Sequence, residues 1–180
     1  ALLAIGEPAV LPLSDCLSDP VLSVQELASS VLATIADARV LTPLMAALSS
    51  PDWIVRMHAA KALGRIQDPE AVGVLVPRLQ DSVKAVREEA STALAAIGEA
   101  ALSSLLAALT HGEWLVRLHA VEALGKTRSS QAVVPLLSVL FNDQDRAVRE
   151  DAVRALGQIG DARAVEFVVT VMKEPGLRPL

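Results

Sequence analysis

Tyrosine is absent from this chain of 180 residues, phenylalanine and tryptophan occur twice each, and aromatics make up 2% of a sequence that is 52% hydrophobic. Apolar content of that kind, carried by Ala, Leu and Val, is what repeated helix faces supply. The single cysteine, Cys16, excludes an internal disulfide and reads as a small buried apolar residue. No apolar run approaches the ~20 residues of a membrane span, so no membrane span is expected in this segment. The amino-terminal residues show no signal-peptide pattern, so a cytoplasmic location is expected. Missing too are a glycine-rich phosphate loop, a nucleophile with a base at workable spacing, and paired carboxylates outside charged helix faces. No cofactor, no metal and no catalytic residue is expected on those grounds. A net charge of −5 argues against nucleic acid as the main partner.

What is there is repetition. Val24, Val55, Val86, Val116 and Val148 stand 31, 31, 30 and 32 residues apart. Arg56, Arg87, Arg117 and Arg149 follow four of them, and Gln25 follows the first. Four residues after each valine comes Ala28, Ala59, Ala90, Ala120 or Ala152, and four further on Leu32, Leu63, Leu94, Leu124 or Leu156. Val, Ala and Leu at i, i+4 and i+8 make one apolar stripe of a helix. A second stripe closes each block: Val40/Leu44/Leu48, Ala71/Leu75/Leu79, Ala101/Leu105/Leu109, Ala132/Leu136/Leu140 and Ala164/Val168/Met172. Each repeat is thus two helices joined by a short turn. The spacing predicts one elongated domain: a partial repeat 1–19, repeats 20–50, 51–81, 82–111, 112–143 and 144–174, and a tail 175–180.

Turn chemistry agrees. Asp52 and Asp145 are placed to cap the first helix of their repeats, and Asp37, Asp68 and Asp161 the second, with Pro69 at the first helical position. Gly98 and Gly160 suit a left-handed C-cap. Gly64, Gly125 and Gly157 fall inside first helices, where glycine costs about 1 kcal/mol against alanine; close approach of a neighbouring helix is the expected return. Pro12, Pro43 and Pro135 fall early in second helices, which they should kink or start late.

The stretches PDWIVRMHAAKALGRIQDPEAVGVLVPRLQD, EWLVRLHAVEALG and DRAVREDAVRALGQIGDARAV resemble HEAT-like repeats of the phycobilisome-lyase type, over essentially the whole chain. The resemblance implies an all-α, right-handed α-solenoid of about five and a half repeats, with second helices lining a concave groove. It also implies a structural ladder in which Arg56, Arg87, Arg117 and Arg149 pair with acidic residues of adjacent repeats; Gln25 departs from that pattern. Both ends read as unfinished, since Ala1 enters mid-repeat and the helix AVEFVVTVM carries one charge. A fragment of a longer array is expected, with self-association through the ends.

Groove-facing positions on the second helices read Leu11, Thr42, Gly73, Ser103, Val134, Glu166 in one row and Asp15, Ala46, Pro77, Ala107, Ser138, Thr170 in the next, with Arg78 beside them. Their inner members are small and uncharged, which suits either tight helix packing or a shallow groove for a partner helix or peptide. The pattern W-x-V-R-x-H-A recurs with Trp53/His58 and Trp114/His119. The two copies lie two repeats apart, roughly 20 Å at ~10 Å per helix layer, too far to share ~2 Å metal bonds. The histidines are expected to be half-buried, and the tryptophans, beside a turn, are candidate edge contacts for a partner. The paired His-Glu motifs of HEAT-repeat deoxyhypusine hydroxylases are missing, because alanine follows His58 and His119.

Two functions fit. The first is a non-catalytic scaffold or adaptor that binds a protein partner in the groove. The second is part of a bilin lyase or phycobilisome-degradation protein holding a bilin or a phycobiliprotein helix. A bilin's propionates need convergent cations, and among the second helices Arg78 stands out.

Overall fold

A computed structural model of the chain describes residues 9–35 and 38–173, and every element among them is helical. The chain divides into two compact units that meet in sequence between Ile97 and Gly98.

The first unit holds α1 (Val10–Asp15), α2 (Leu22–Ile35), α3 (Ala38–Ala47), α4 (Trp53–Ile66), α5 (Val72–Leu75) and α6 (Lys84–Ile97). The second holds α7 (Glu99–Ala108), α8 (Trp114–Thr127), α9 (Val133–Asn142), α10 (Arg146–Ile159) and α11 (Ala162–Lys173). Within each unit a second helix packs on a first helix, as α3 does on α4 and α9 on α10, and first helices pack side by side, α4 on α6 and α8 on α10. None of the described helices is long and apolar enough to cross a membrane.

The two stripes are what drive this packing. Val55, Ala59 and Leu63 of α4 and Val116, Ala120 and Leu124 of α8 are buried, as are Val40 and Leu44 of α3 with Leu48 just past its end, and Ala101 and Leu105 of α7 with Leu109 just past its end. Each fully buried leucine contributes about 1.5–3 kcal/mol. Of the α11 stripe Ala164 is buried, and the side chains of Val168 and Met172 lie outside the described set, as do those of Leu11 and Thr170. Cys16 is half-buried rather than in the core.

Caps form where short polar side chains stand before helices. Asp52 Oδ1 accepts from Ile54 N–H at 2.9 Å, and Asp145 Oδ1 from Ala147 N–H at 2.8 Å. Asp68 and Asp161 accept in the same way from Glu70 and Arg163 N–H. Asp37 lies outside the described residues. Gly160 ends α10 with φ 70° and ψ 21°, its N–H on Leu156 O. Gly98 differs from the expected left-handed cap: at φ 74° and ψ −127° it occupies a region open to glycine alone, and α7 begins at once after α6.

Inside the first helices the glycines separate into two kinds. A Cβ on Gly64 would sit 2.7 Å from Ala93 Cα of α6, and one on Gly125 would sit 2.8 Å from Ala155 Cα of α10. These two admit a neighbouring backbone. Gly157 faces open space, contrary to the expected close approach. Pro12 and Pro135 are third residues of α1 and α9, where the missing N–H would have no intrahelical partner. Pro43 sits inside α3. The Ala71/Leu75/Leu79 stripe is wound as one short α-turn between 3₁₀ segments, Pro69–Ala71 and Val76–Gln80. Pro77 removes the N–H that a continuous α-helix would place on the Gly73 carbonyl, so the stripe survives while the helix tightens.

Candidate functional site

The tryptophan-bearing repeats build the same device at the turn before α4 and before α8. In the first unit the Arg56 guanidinium grips the Asp81 carboxylate from two sides, Nε to Oδ2 at 2.8 Å and Nη2 to Oδ1 at 2.9 Å. Its Nη1 donates to the carbonyls of Ser50 and Pro51 at 2.9 and 3.1 Å. Arg78, on the 3₁₀ segment, donates from Nη1 to the Leu48 carbonyl at 3.1 Å and lies 3.9 Å from Asp81 Oδ2. Burial raises the Asp81 pKa, but the bonds from Arg56 and Val83 N–H outweigh it and hold the group below its ordinary value. Trp53 stands beside this turn, exposed.

In the second unit Arg117 holds Asp143 in the same bidentate way, at 2.7 and 2.9 Å, and donates to the carbonyls of His111 and Gly112 at 2.9 and 3.1 Å. Such paired, charge-assisted bonds fix direction as well as adding energy. His111 Nδ1 accepts from Glu113 N–H at 3.1 Å, so the imidazole closes the turn. Between the ends of α7 and α9 a cleft of about 750 Å³ opens, lined among others by Leu109, Glu113, Trp114, Arg117, Ser138, Val139, Asp143 and Asp145. Its size falls in the ~300–1,000 Å³ range of ligand sites. Trp114 is 41% exposed at the cleft.

Arg87 and Arg149 make the same carbonyl contacts, from Nη1 to Asp81 O and Ser82 O at 2.7 and 3.3 Å, and to Asp143 O and Gln144 O at 2.6 and 3.1 Å. Gln25 does the same with one bond, Nε2 to Asp19 O at 2.6 Å. The carbonyl contact six residues back therefore recurs in all five repeats, and a bidentate carboxylate contact is seen at Arg56 and Arg117. Of the groove row, Thr42, Ala46, Gly73 and Pro77 in the first unit and Ser103, Ala107 and Val134 in the second are exposed. Arg78 and Ser138 are partly buried. The cleft brings Trp114, Arg117 and Ser138 together and leaves Ser103, Ala107 and Val134 outside its lining. Sequence reasoning passed over Asp81, Asp143 and Glu113, and had Asp145 only as a helix cap. The available signal was the column six residues before each arginine or glutamine, which reads Asp19, Ser50, Asp81, His111, Asp143.

Both repeat histidines are more deeply buried than expected, at 1% exposure for His58 and 4% for His119. Among the described residues neither ring nitrogen of His58 has a hydrogen-bond partner, and burial lowers its pKa. His119 Nδ1 lies 3.1 Å from Glu122 Oε2, and Lys126 Nζ 2.7 Å from Glu122 Oε1. Glu122 is held down to about 2, first by the bond to His119. Asp151, on α10, is raised mainly by burial. No group of three His, Cys, Asp or Glu side chains suited to a metal ion occurs among the described residues.

A family model described as HEAT repeats matches residues 10–95, 42–113 and 102–178. Over 68 residues, 38% of this chain, the sequence is 35% identical to the bilin biosynthesis protein PecE of Mastigocladus laminosus. The aligned part is about a quarter (25%) of that relative's length. Among solved structures, a chain in the complex of CpcE and CpcF of phycocyanin lyase from Nostoc sp. PCC7120 superposes with a TM-score of 0.62 at 22% identity, covering 82% of this chain and 98% of that one. An engineered protein superposes with a TM-score of 0.51 at 26% identity, over 92% and 88%. These likenesses show the α-solenoid fold. The chain belongs to the HEAT-repeat family.

Proposed function

We propose that this chain is a non-catalytic docking segment of a bilin-lyase-type assembly, and that it binds a protein partner rather than the bilin. The similarity to the bilin biosynthesis protein PecE carries the first half of this reading, and the likeness to a chain from a two-protein phycocyanin lyase complex supports it at the level of fold. The second half rests on where the cations are spent. Arg56 and Arg117 are bound to Asp81 and Asp143, and Arg78 to the Leu48 carbonyl. The cleft beside Trp114 is lined by three carboxylates, Glu113, Asp143 and Asp145. A tetrapyrrole's propionates would meet repulsion there. What remains exposed on the second helices is weakly polar in each unit: Thr42, Ala46, Gly73 and Pro77 in one, and Ser103, Ala107 and Val134, near the partly buried Ser138, in the other. Surfaces of that kind suit a partner helix.

Two measurements on the intact chain test this. Titration with free bilin should leave the bilin absorbance spectrum unchanged, and calorimetric titration with an apo-phycocyanin subunit should show binding that the Ala107→Arg, Ser138→Arg variant weakens at least tenfold. A shifted bilin spectrum, or no heat with the subunit, would overturn the reading.

A further inference from the structure

The tryptophan-bearing repeats align residue for residue from Trp53/Trp114 to Leu79/Leu140, and with one extra residue in the second at Asp81/Asp143. Within that alignment one exchange changes the chemistry of the turn. Arg78 in the first copy corresponds to Val139 in the second. In the first copy the Arg78 guanidinium runs to the Leu48 carbonyl and toward Asp81. The corresponding groups of the second copy, the Leu109 carbonyl residue and Asp143, both line the open cleft, with Val139 on its wall. Charge changes in the same sense. The first turn carries Arg56 and Arg78 against Asp52 and Asp81. The second carries Arg117 against Glu113, Asp143 and Asp145, the last standing where the first copy has Val83.

We infer that this cleft takes an arginine side chain presented by a partner protein, its guanidinium lying where Arg78 lies in the first copy. The first copy demonstrates that one carboxylate at this turn tolerates two guanidinium groups, Arg56 in bidentate contact and Arg78 at 3.9 Å. In the second copy the incoming group donates to the Leu109 carbonyl and approaches Asp143 beside Arg117. Glu113 and Asp145 supply the charge that Arg78's own turn lacks. Trp114, half-exposed and lining the cleft, adds an aromatic ring within reach of the cation. Arginine is favoured over lysine because a carbonyl and a carboxylate must be met by one planar, multi-donor head. Buried arginine and tryptophan pairs are the kind of contact that anchors protein interfaces.

In naming a protein as the source, this inference rests on the docking reading, and its test is kept separate from that one. The probe is acetyl-Gly-Arg-Gly-amide, titrated into the ¹⁵N-labelled chain and followed by NMR, with the citrulline peptide as the isosteric neutral control. The arginine peptide should shift the Trp114 indole N–H, assigned with Trp53→Phe, and the amides of residues 111–117 and 143–145; the citrulline peptide should not. Val139→Arg, which restores the first copy's arrangement, should abolish the shifts. Glu113→Lys, a surface change that repacks nothing, should weaken binding about tenfold. Arg78→Val should open the first copy and bring the Trp53 indole into the response. Equal shifts with citrulline, or unchanged binding by Val139→Arg and Glu113→Lys, would sink the idea. If the peptide fails while the apo-phycocyanin subunit still binds, the arginine site is refuted and the docking reading stands; the reverse result refutes the docking reading alone.

Discussion

At the scale of single residues, His58 is a group buried at a cost. Its imidazole is buried against α2, where Ser29 Oγ already donates to the His58 carbonyl, and its ring nitrogens find no partner among the described residues. Burial is the main cause of its lowered pKa, with Lys61 adding to it and Glu26 opposing. A histidine whose folded pKa lies below its unfolded value of about 6.5 leaves stability intact above that value. Below it the unfolded chain takes up the proton first, so stability falls with pH. His58→Leu should therefore be about 1 kcal/mol more stable at pH 7.5 in urea unfolding, and should lose less between pH 7 and pH 5 than the parent chain. Equal losses in that window would place the sensitivity elsewhere. Glu122 acts lower on the scale: its pKa of about 2 against the ordinary 4.5 gives stability that is present above 4.5 and lost as pH falls toward 2. The arginine column was legible in the sequence because it rides on a strict helical spacing. Its acidic partners were not, because they sit in turns, where Asp81 and Asp143 share a column with Ser50 and His111.

At the scale of elements, apolar spacing identified the helices, and local backbone chemistry decided how they are wound. The stripe through Ala71, Leu75 and Leu79 is intact in burial, yet Pro77 breaks its α-helical bonding into 3₁₀ segments. Stripe and winding are separate facts, since the first depends on which side chains seek the core and the second on which N–H groups exist. The glycines make the same point. All three interior glycines of first helices look alike in sequence, but Gly64 and Gly125 meet Ala93 and Ala155 backbone, whereas Gly157 meets nothing within 4 Å. Gly64→Ala should cost about 2–3 kcal/mol, because a Cβ at 2.7 Å from a Cα forces α4 and α6 apart. Gly157→Ala should gain up to about 1 kcal/mol from helix propensity alone. Thermal unfolding of the two variants side by side checks both signs. The left-handed caps divide in the same way: Gly160 ends α10, while Gln67 and Arg128 end α4 and α8 at φ 59° and 55°.

At the scale of the whole molecule, a period of two repeats overlies the period of one. Trp53 and Trp114, His58 and His119, Gly64 and Gly125 each recur 61 residues apart. The bidentate pairs recur with them, one in each unit. Asp143→Asn should cost about 3 kcal/mol, since Arg117 would keep its two carbonyls but face a neutral amide while largely shielded from water. Asp161→Asn, at a solvent-exposed pair, should leave stability essentially unchanged, since asparagine can still cap α11. Denaturant midpoints of the two variants decide whether the buried turn pair carries that weight. The longer period was readable in the W-x-V-R-x-H-A pairs. Its meaning required seeing that the glycine contacts and the arginine–aspartate pairs fall on the same helix neighbours, α4 with α6 and α8 with α10. At each of these junctions the aspartate side chain holds the arginine before it and the aspartate carbonyl holds the arginine after it. Repeat arrays melt as one-dimensional chains governed by nearest-neighbour coupling. Here the shared aspartate couples α4 to α6 in one unit and α8 to α10 in the other, so the repeats on either side of each of these two junctions should melt together.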